Sequence, residues 1–138
     1  MGLARPGASE SKHSVVLVNA LKCRGPAQRK PLPGEIDACQ HFLARQIALL
    51  RPRMILALGR LAAQAVLHDQ LSDGQAAELP LGKLRGQVYL AHGCPVVVTY
   101  HPAYLLRSPA DKARAWSDLC LAMSSLNESG SLNKDGKA

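Results

Sequence analysis

Val96-Val97-Val98-Thr99-Tyr100-His101-Pro102-Ala103-Tyr104-Leu105-Leu106-Arg107 joins a β-branched apolar run to a His-Pro break and then to an aliphatic-basic tip. A short apolar run bounded by a turn signal reads as a strand buried on both faces. Pro102 pushes His101 into extended backbone and ends the strand there. His101 is therefore expected at the carboxyl end of a buried strand, where open α/β sheets place their ligand sites.

Working outward, Val88-Tyr89-Leu90-Ala91 reads as another strand, and His92-Gly93-Cys94-Pro95 as the turn between the two. On the other side, Ser108-Pro109-Ala110-Asp111 opens a helix, with Ser as cap, Pro at the first helical position and Asp three residues after the cap. Trp116, Leu119, Cys120 and Met123 are its expected buried face. Met54 to Leu58 is a further buried strand, and Gly59-Arg60 turns it into a helix carrying Ala62, Ala63, Val66 and Leu67. A helix starting near Pro33-Gly34-Glu35 has Ile36, Cys39, Leu43, Ile47 and Leu50 on one face, at steps of three and four. Val15-Val16-Leu17-Val18 reads as a short buried strand closed by Asn19, and Lys22 to Pro31 as a basic loop punctuated by Gly and Pro. The connection from Asp69 to Pro80 carries no clear pattern.

Strands alternating with helices define an α/β chain: three αβα layers around a small, mostly parallel central sheet. Residues 1–14 read as a disordered lead-in, 15–126 as one domain and 127–138 as a flexible tail, the polar composition setting in from Ser124. No internal repeat is visible.

With 47% hydrophobic residues the 138-residue chain can bury a core. No apolar run approaches the about 18 residues of a membrane span, and residues 1–14 lack the apolar stretch of a secretory signal. An intracellular, cytoplasmic protein without membrane partners is expected. Seventeen basic against ten acidic residues favour a polyanionic partner such as nucleic acid, or simply a basic surface. Aromatic residues, at 4%, are too few for a broad base-stacking platform. Cys23, Cys39, Cys94 and Cys120 form no Cys-x-x-Cys pair, so no zinc motif is present.

Three expected strand ends carry distinctive groups: Asn19, Gly59-Arg60 and His101. An Asn side chain donates and accepts, and so can read the edge of a planar heterocycle. A His donor stabilises negative charge developing on a carbonyl oxygen. Leu105-Leu106-Arg107 offers an apolar wedge for a base stack and a cation for a backbone phosphate. Together they describe a site that takes a base out of a strand and stabilises it as an anionic leaving group. Each also has a plainer reading. Asn19 can close a loop, His101 can serve a turn, a leucine can belong to the core, the basic loop can be solvated and the cysteines can be buried thiols. Gly59-Arg60 alone fits a small α/β module that binds a phosphate ligand.

Five stretches carry a resemblance in register: Val18 to Arg24, Ile36 to Cys39, Leu56 to Gln64, Leu81 to Gly86, and Val97 to Arg107, with Pro109 to Ala113 and Trp116 to Cys120 following the same pattern in the last helix. From about Val15 to Met123 the chain resembles the family 4 uracil-DNA glycosylases, which carry a [4Fe–4S] cluster. The resemblance implies a uracil-DNA glycosylase-like fold and base excision repair: hydrolysis of the N-glycosidic bond of uracil in DNA, leaving an abasic site. Asn19 matches the uracil-reading asparagine, and His101 the histidine that steadies charge on uracil O2. Tyr104, Leu105, Leu106 and Arg107 match the loop that enters the duplex, Gly59 and Arg60 the phosphate-contacting turn, and Arg24 a DNA-facing cation. Cys23 and Cys39 match two of four cluster ligands.

The family's amino-terminal Cys-x-x-Cys pair, its Gly-Glu-Ala-Pro-Gly-like first motif and the aromatic residue that stacks on uracil have no counterpart here. Gly25-Pro26-Ala27-Gln28 stands where the family has Pro-Pro-Gly-Asn. The resemblance is thus to the carboxy-terminal two-thirds, with the first strand missing. It leaves two expectations open, an enzyme and an inactive DNA-binding remnant.

Overall fold

The computed structural model describes residues 14–23, 25–71 and 79–132. The first thirteen residues of the lead-in, residues 133–138 of the tail and Arg24 lie outside the described residues. Among those described, α1 (Pro33–Leu50), β1 (Ile55–Leu58), α2 (Arg60–Val66), α3 (His68–Leu71), α4 (Leu81–Leu84), β2 (Val88–Ala91), β3 (Cys94–Thr99), α5 (Pro102–Arg107) and α6 (Lys112–Leu132) follow in chain order.

The central strand is β3, as its composition requires. Val96, Val97 and Val98 are fully buried, because β3 lies between β1 and β2. It runs parallel to β1, Ile55 pairing with Val96 and Leu58 with Thr99. The α/β class stands, but the pairing is mixed, because β2 is antiparallel to β3. The cause is local. His92 and Gly93 both have positive φ, 52° and 74°, which closes the two-residue hairpin turn that matches strand twist. Cys94 and Pro95 already belong to β3 rather than to the turn.

Helices cover both faces. Val96 and Val98 pack with Leu43 and Ile47 of α1, with Ala63, Ala65, Val66 and the adjoining Leu67, and with Leu84 of α4. Thr99 points the opposite way, as alternation along a strand demands, and meets α6. In α1, Pro33 supplies the first position, and the Leu32 N–H donates to Glu35 (2.9 Å), half of a capping box. Ile36, Cys39, Leu43 and Ile47 form its inner face as expected, whereas Leu50 is exposed at the last turn.

Three expectations are corrected. Val15 to Val18 forms no strand among the described residues, and Val16, Leu17 and Val18 are exposed. An apolar run becomes a buried strand only where it pairs with a neighbour, and among the described residues the sheet holds three strands in the order β1-β3-β2. On α6 the buried face is Ala115, Asp118, Ala122 and Ser125, while Trp116 is 63% exposed and Cys120 is exposed. Small residues let the helix approach the sheet, and Asp118 is drawn inward by partners there. The polar stretch from Ser124 continues as helix to Leu132, tied by Arg53 donating to the Leu126 carbonyl (3.1 Å).

Candidate active site

Because β1 and β3 are parallel neighbours, both strands end on the same rim of the sheet. Gly59 follows β1 and donates its N–H to the Thr99 carbonyl at 2.8 Å. Its backbone, φ 87° and ψ 174°, lies in a region reserved for glycine. A Cβ at this position would stand 3.1 Å from the His101 Cβ. Glycine is required here twice, by its dihedral angles and by the closeness of His101. Two of the three expected strand ends thus meet, and Arg60 opens α2 beside them.

His101 caps α5. The Ala103 N–H donates to His101 Nδ1 at 3.1 Å. Pro102, which has no N–H, occupies the first helical position. A nitrogen that accepts cannot carry the proton, so the neutral ring holds it on Nε2. The Nε2–H of this exposed side chain is then a donor available for a ligand oxygen.

The expected loop from Tyr104 to Arg107 is the short helix α5. Leu106 is 79% exposed, Arg107 is exposed and Leu105 is half-buried. Tyr104 is engaged inward: its ring stacks on Tyr100 (centroids 5.0 Å apart, 18° between planes), and its hydroxyl donates to Asp111 Oδ2 (2.8 Å). That hydrogen bond to a carboxylate, with lesser opposition from Ser108, raises the Tyr104 phenol above its ordinary value.

Beneath the rim lies a charged pair that reading the sequence missed. Asp118, 1% exposed, accepts from Arg85 Nε at Oδ2 and from Arg85 Nη2 at Oδ1, each at 2.9 Å. Thr99 Oγ1 donates to the same Oδ2 (2.8 Å). The Arg85 guanidinium lies 5.2 Å from the Tyr100 ring centroid and also reaches the Arg114 carbonyl (2.7 Å). The available signal was Asp118 at steps of three and four with Ala115, Ala122 and Ser125.

Asn19 is exposed, on no strand, and lines an open cleft of about 430 Å³ with Leu21, Lys22, Cys23, Gly25, Arg29 and Pro31. Lys22 Nζ donates to the Asn19 carbonyl and to Gln46 Oε1, each at 2.6 Å. Arg29 forks onto Glu35, with Nη2 to Oε1 at 2.6 Å and Nη1 to Oε2 at 2.9 Å.

An iron–sulfur cluster of the kind the resemblance implies takes four thiolates. Cys23 borders the cleft and Cys39 is buried on α1. Cys94 is buried at the start of β3, where burial raises its thiol, and Cys120 is exposed on α6. Among the described residues, which include all four cysteines, no three Cys, His, Asp or Glu side chains come together as a metal site. The residues present do not fit the cluster.

The sequence profile of the Uracil DNA glycosylase superfamily matches residues 3–120. The chain belongs to this superfamily. It is 39% identical over 111 residues to a Type-4 uracil-DNA glycosylase of Pyrobaculum aerophilum, covering 78% of this chain and 55% of that protein. It is 34% identical over 111 residues to the Type-4 enzyme of Archaeoglobus fulgidus, covering 78% and 54%. Against that of Thermotoga maritima it is 36% identical over 104 residues, covering 75% and 50%. The chain spans about half the length of the curated relatives it matches. Among the described residues no helix is long and apolar enough to cross a membrane.

Proposed function

We propose that this chain carries the leaving-group half of a uracil-DNA glycosylase site, acting on uracil-containing DNA in base excision repair inside the cell. The observation that carries this reading is the His101 cap: with Nδ1 occupied by the Ala103 N–H, Nε2–H is the group offered at the rim. As the N-glycosidic bond breaks, the sugar becomes oxocarbenium-like and uracil leaves as an anion. A neutral Nε2–H donor at uracil O2 stabilises that charge without giving up a proton. Leu106, projecting from α5, occupies the space of the extruded nucleotide, with Leu105 behind it. Gly59, Arg60, Tyr104 and Arg107 form the DNA-facing border, Arg24, outside the described residues, is assigned a DNA contact by the resemblance alone, and water completes hydrolysis to an abasic site. Asn19 is assigned the uracil edge.

A second reading is DNA binding without excision, in a chain that lacks the first active-site motif and two cluster cysteines. The cysteines favour it, since among the described residues no three Cys, His, Asp or Glu side chains come together as a metal site.

Uracil release from a uracil-containing oligonucleotide, by the chain and by its His101→Ala variant, tests both readings. Release that falls at least about 100-fold in the variant supports the enzyme, the scale expected for loss of one charge-stabilising donor. Binding that weakens steeply with salt, without release, supports the second reading.

A further inference from the structure

Helix α5 is six residues long and buries none of them. Isolated helices of that length are not stable, so burial does not hold it in place. Three things do: the His101 cap, the Tyr100–Tyr104 stack and the hydrogen bond from Tyr104 to Asp111. Asp111 lies in the 3-10 turn Pro109–Asp111 that leads into α6, and its other oxygen accepts from Arg114 Nη1 at 3.0 Å. Tyr100 is in turn set against Arg85, which Asp118 fixes from α6. The residue before His101 and the helix after it are therefore both referred to α6.

We propose that Tyr104 and Asp111 are positioning residues for His101: by pinning α5 to the start of α6, they keep the Ala103 N–H on Nδ1 and so keep the imidazole proton on Nε2. The two neutral tautomers of a free imidazole are close in energy, so one directed hydrogen bond selects between them. Loosening α5 removes that selection while leaving the ring in place. Tyr104 thus serves the reaction through His101, whether or not it also touches DNA. The inference rests on reading His101 as a donor through Nε2.

The test is nitrogen-15 NMR of the chain labelled at its five histidine rings, with the His101 pair assigned by its absence from His101→Ala. In the parent chain with the ring neutral, the two His101 nitrogens are expected far apart, Nε2 protonated and Nδ1 not. Tyr104→Phe keeps the stacked ring and loses the hydroxyl, and Asp111→Ala removes the same bond from the other side. In both variants the two resonances are expected to move toward a common averaged position, with the thermal midpoint of Tyr104→Phe unchanged. Resonances identical to the parent in both variants overturn the inference and leave the proposed function untouched. A parent chain with the proton on Nδ1 overturns the inference and the donor role together. Convergence in the variants of a chain that never releases uracil upholds the inference while the enzyme reading fails.

Discussion

Thr99 and Asp118 share a 2.8 Å hydrogen bond across the interface between sheet and last helix, two residues before His101. The same carboxylate takes Arg85 at two points, so a single buried group ties the central strand, α6 and the segment after α4.

Asp118→Ala is expected to cost about 3–5 kcal/mol, because it leaves the Arg85 guanidinium, 15% exposed, without its counter-charge. Thr99 loses its acceptor as well. Replacing both partners together, Arg85→Met with Asp118→Leu, is expected to recover most of that loss, since a buried ion pair is often no more stable than a packed apolar pair. Urea unfolding of the two single variants and the double variant measures the coupling. Additive losses would refute it.

Gly59→Ala combines a backbone region reserved for glycine with a Cβ contact of 3.1 Å at His101. The dihedral strain alone is expected to cost about 1–3 kcal/mol. The contact also pushes His101 off the rim, so uracil release should fall more than stability does. Denaturant midpoints and excision rates, compared on the same preparation, report the two effects separately.

Acid weakens the start of α1. The Arg29 fork on its carboxylate, then the Leu32 N–H, lower Glu35 from 4.5 to about 2. A lowered folded-state value means stability that is fully present above 4.5 and lost as pH falls toward 2. Glu35→Gln is expected to destabilise the chain modestly at neutral pH, with the difference from the parent closing between those values. Melting curves recorded across that range check the sign: a gap that widens on acidification contradicts it. The pair is exposed, so salt should narrow the gap.

Leu106 and Arg107 are exposed, and their replacement by Ala is expected to change stability by less than about 0.5 kcal/mol. Binding to a uracil-containing duplex should suffer in different ways. Arg107→Ala is expected to reduce the slope of log affinity against log salt by about 1. Leu106→Ala should leave that slope unchanged and lower affinity at every salt concentration. Anisotropy titrations at several salt concentrations distinguish them.

Much of this fold was legible from short stretches. The β3 run, its end at His101-Pro102, the span of α1 and the strand–glycine–helix turn at Gly59 all follow from rules that act over a few consecutive residues. Pro102 restricts the residue before it, a β-branched run prefers extended backbone, and a face recurring at three and four makes a helix. The His92-Gly93 turn was legible too, although not the antiparallel pairing it enforces. The motifs around His101 also carried the family.

What neighbouring residues cannot encode came only with the folded chain. Val15 to Val18 has strand composition, yet a strand exists only where another strand pairs with it. Asn19, expected to close that strand, instead lines an open cleft with Cys23. Trp116 looked like a core residue, but Asp118 turned α6 the other way, because Arg85, 33 residues away, and Thr99 hold its carboxylate. A buried charge is tolerable only with such partners, and partners that distant are brought together by tertiary packing alone.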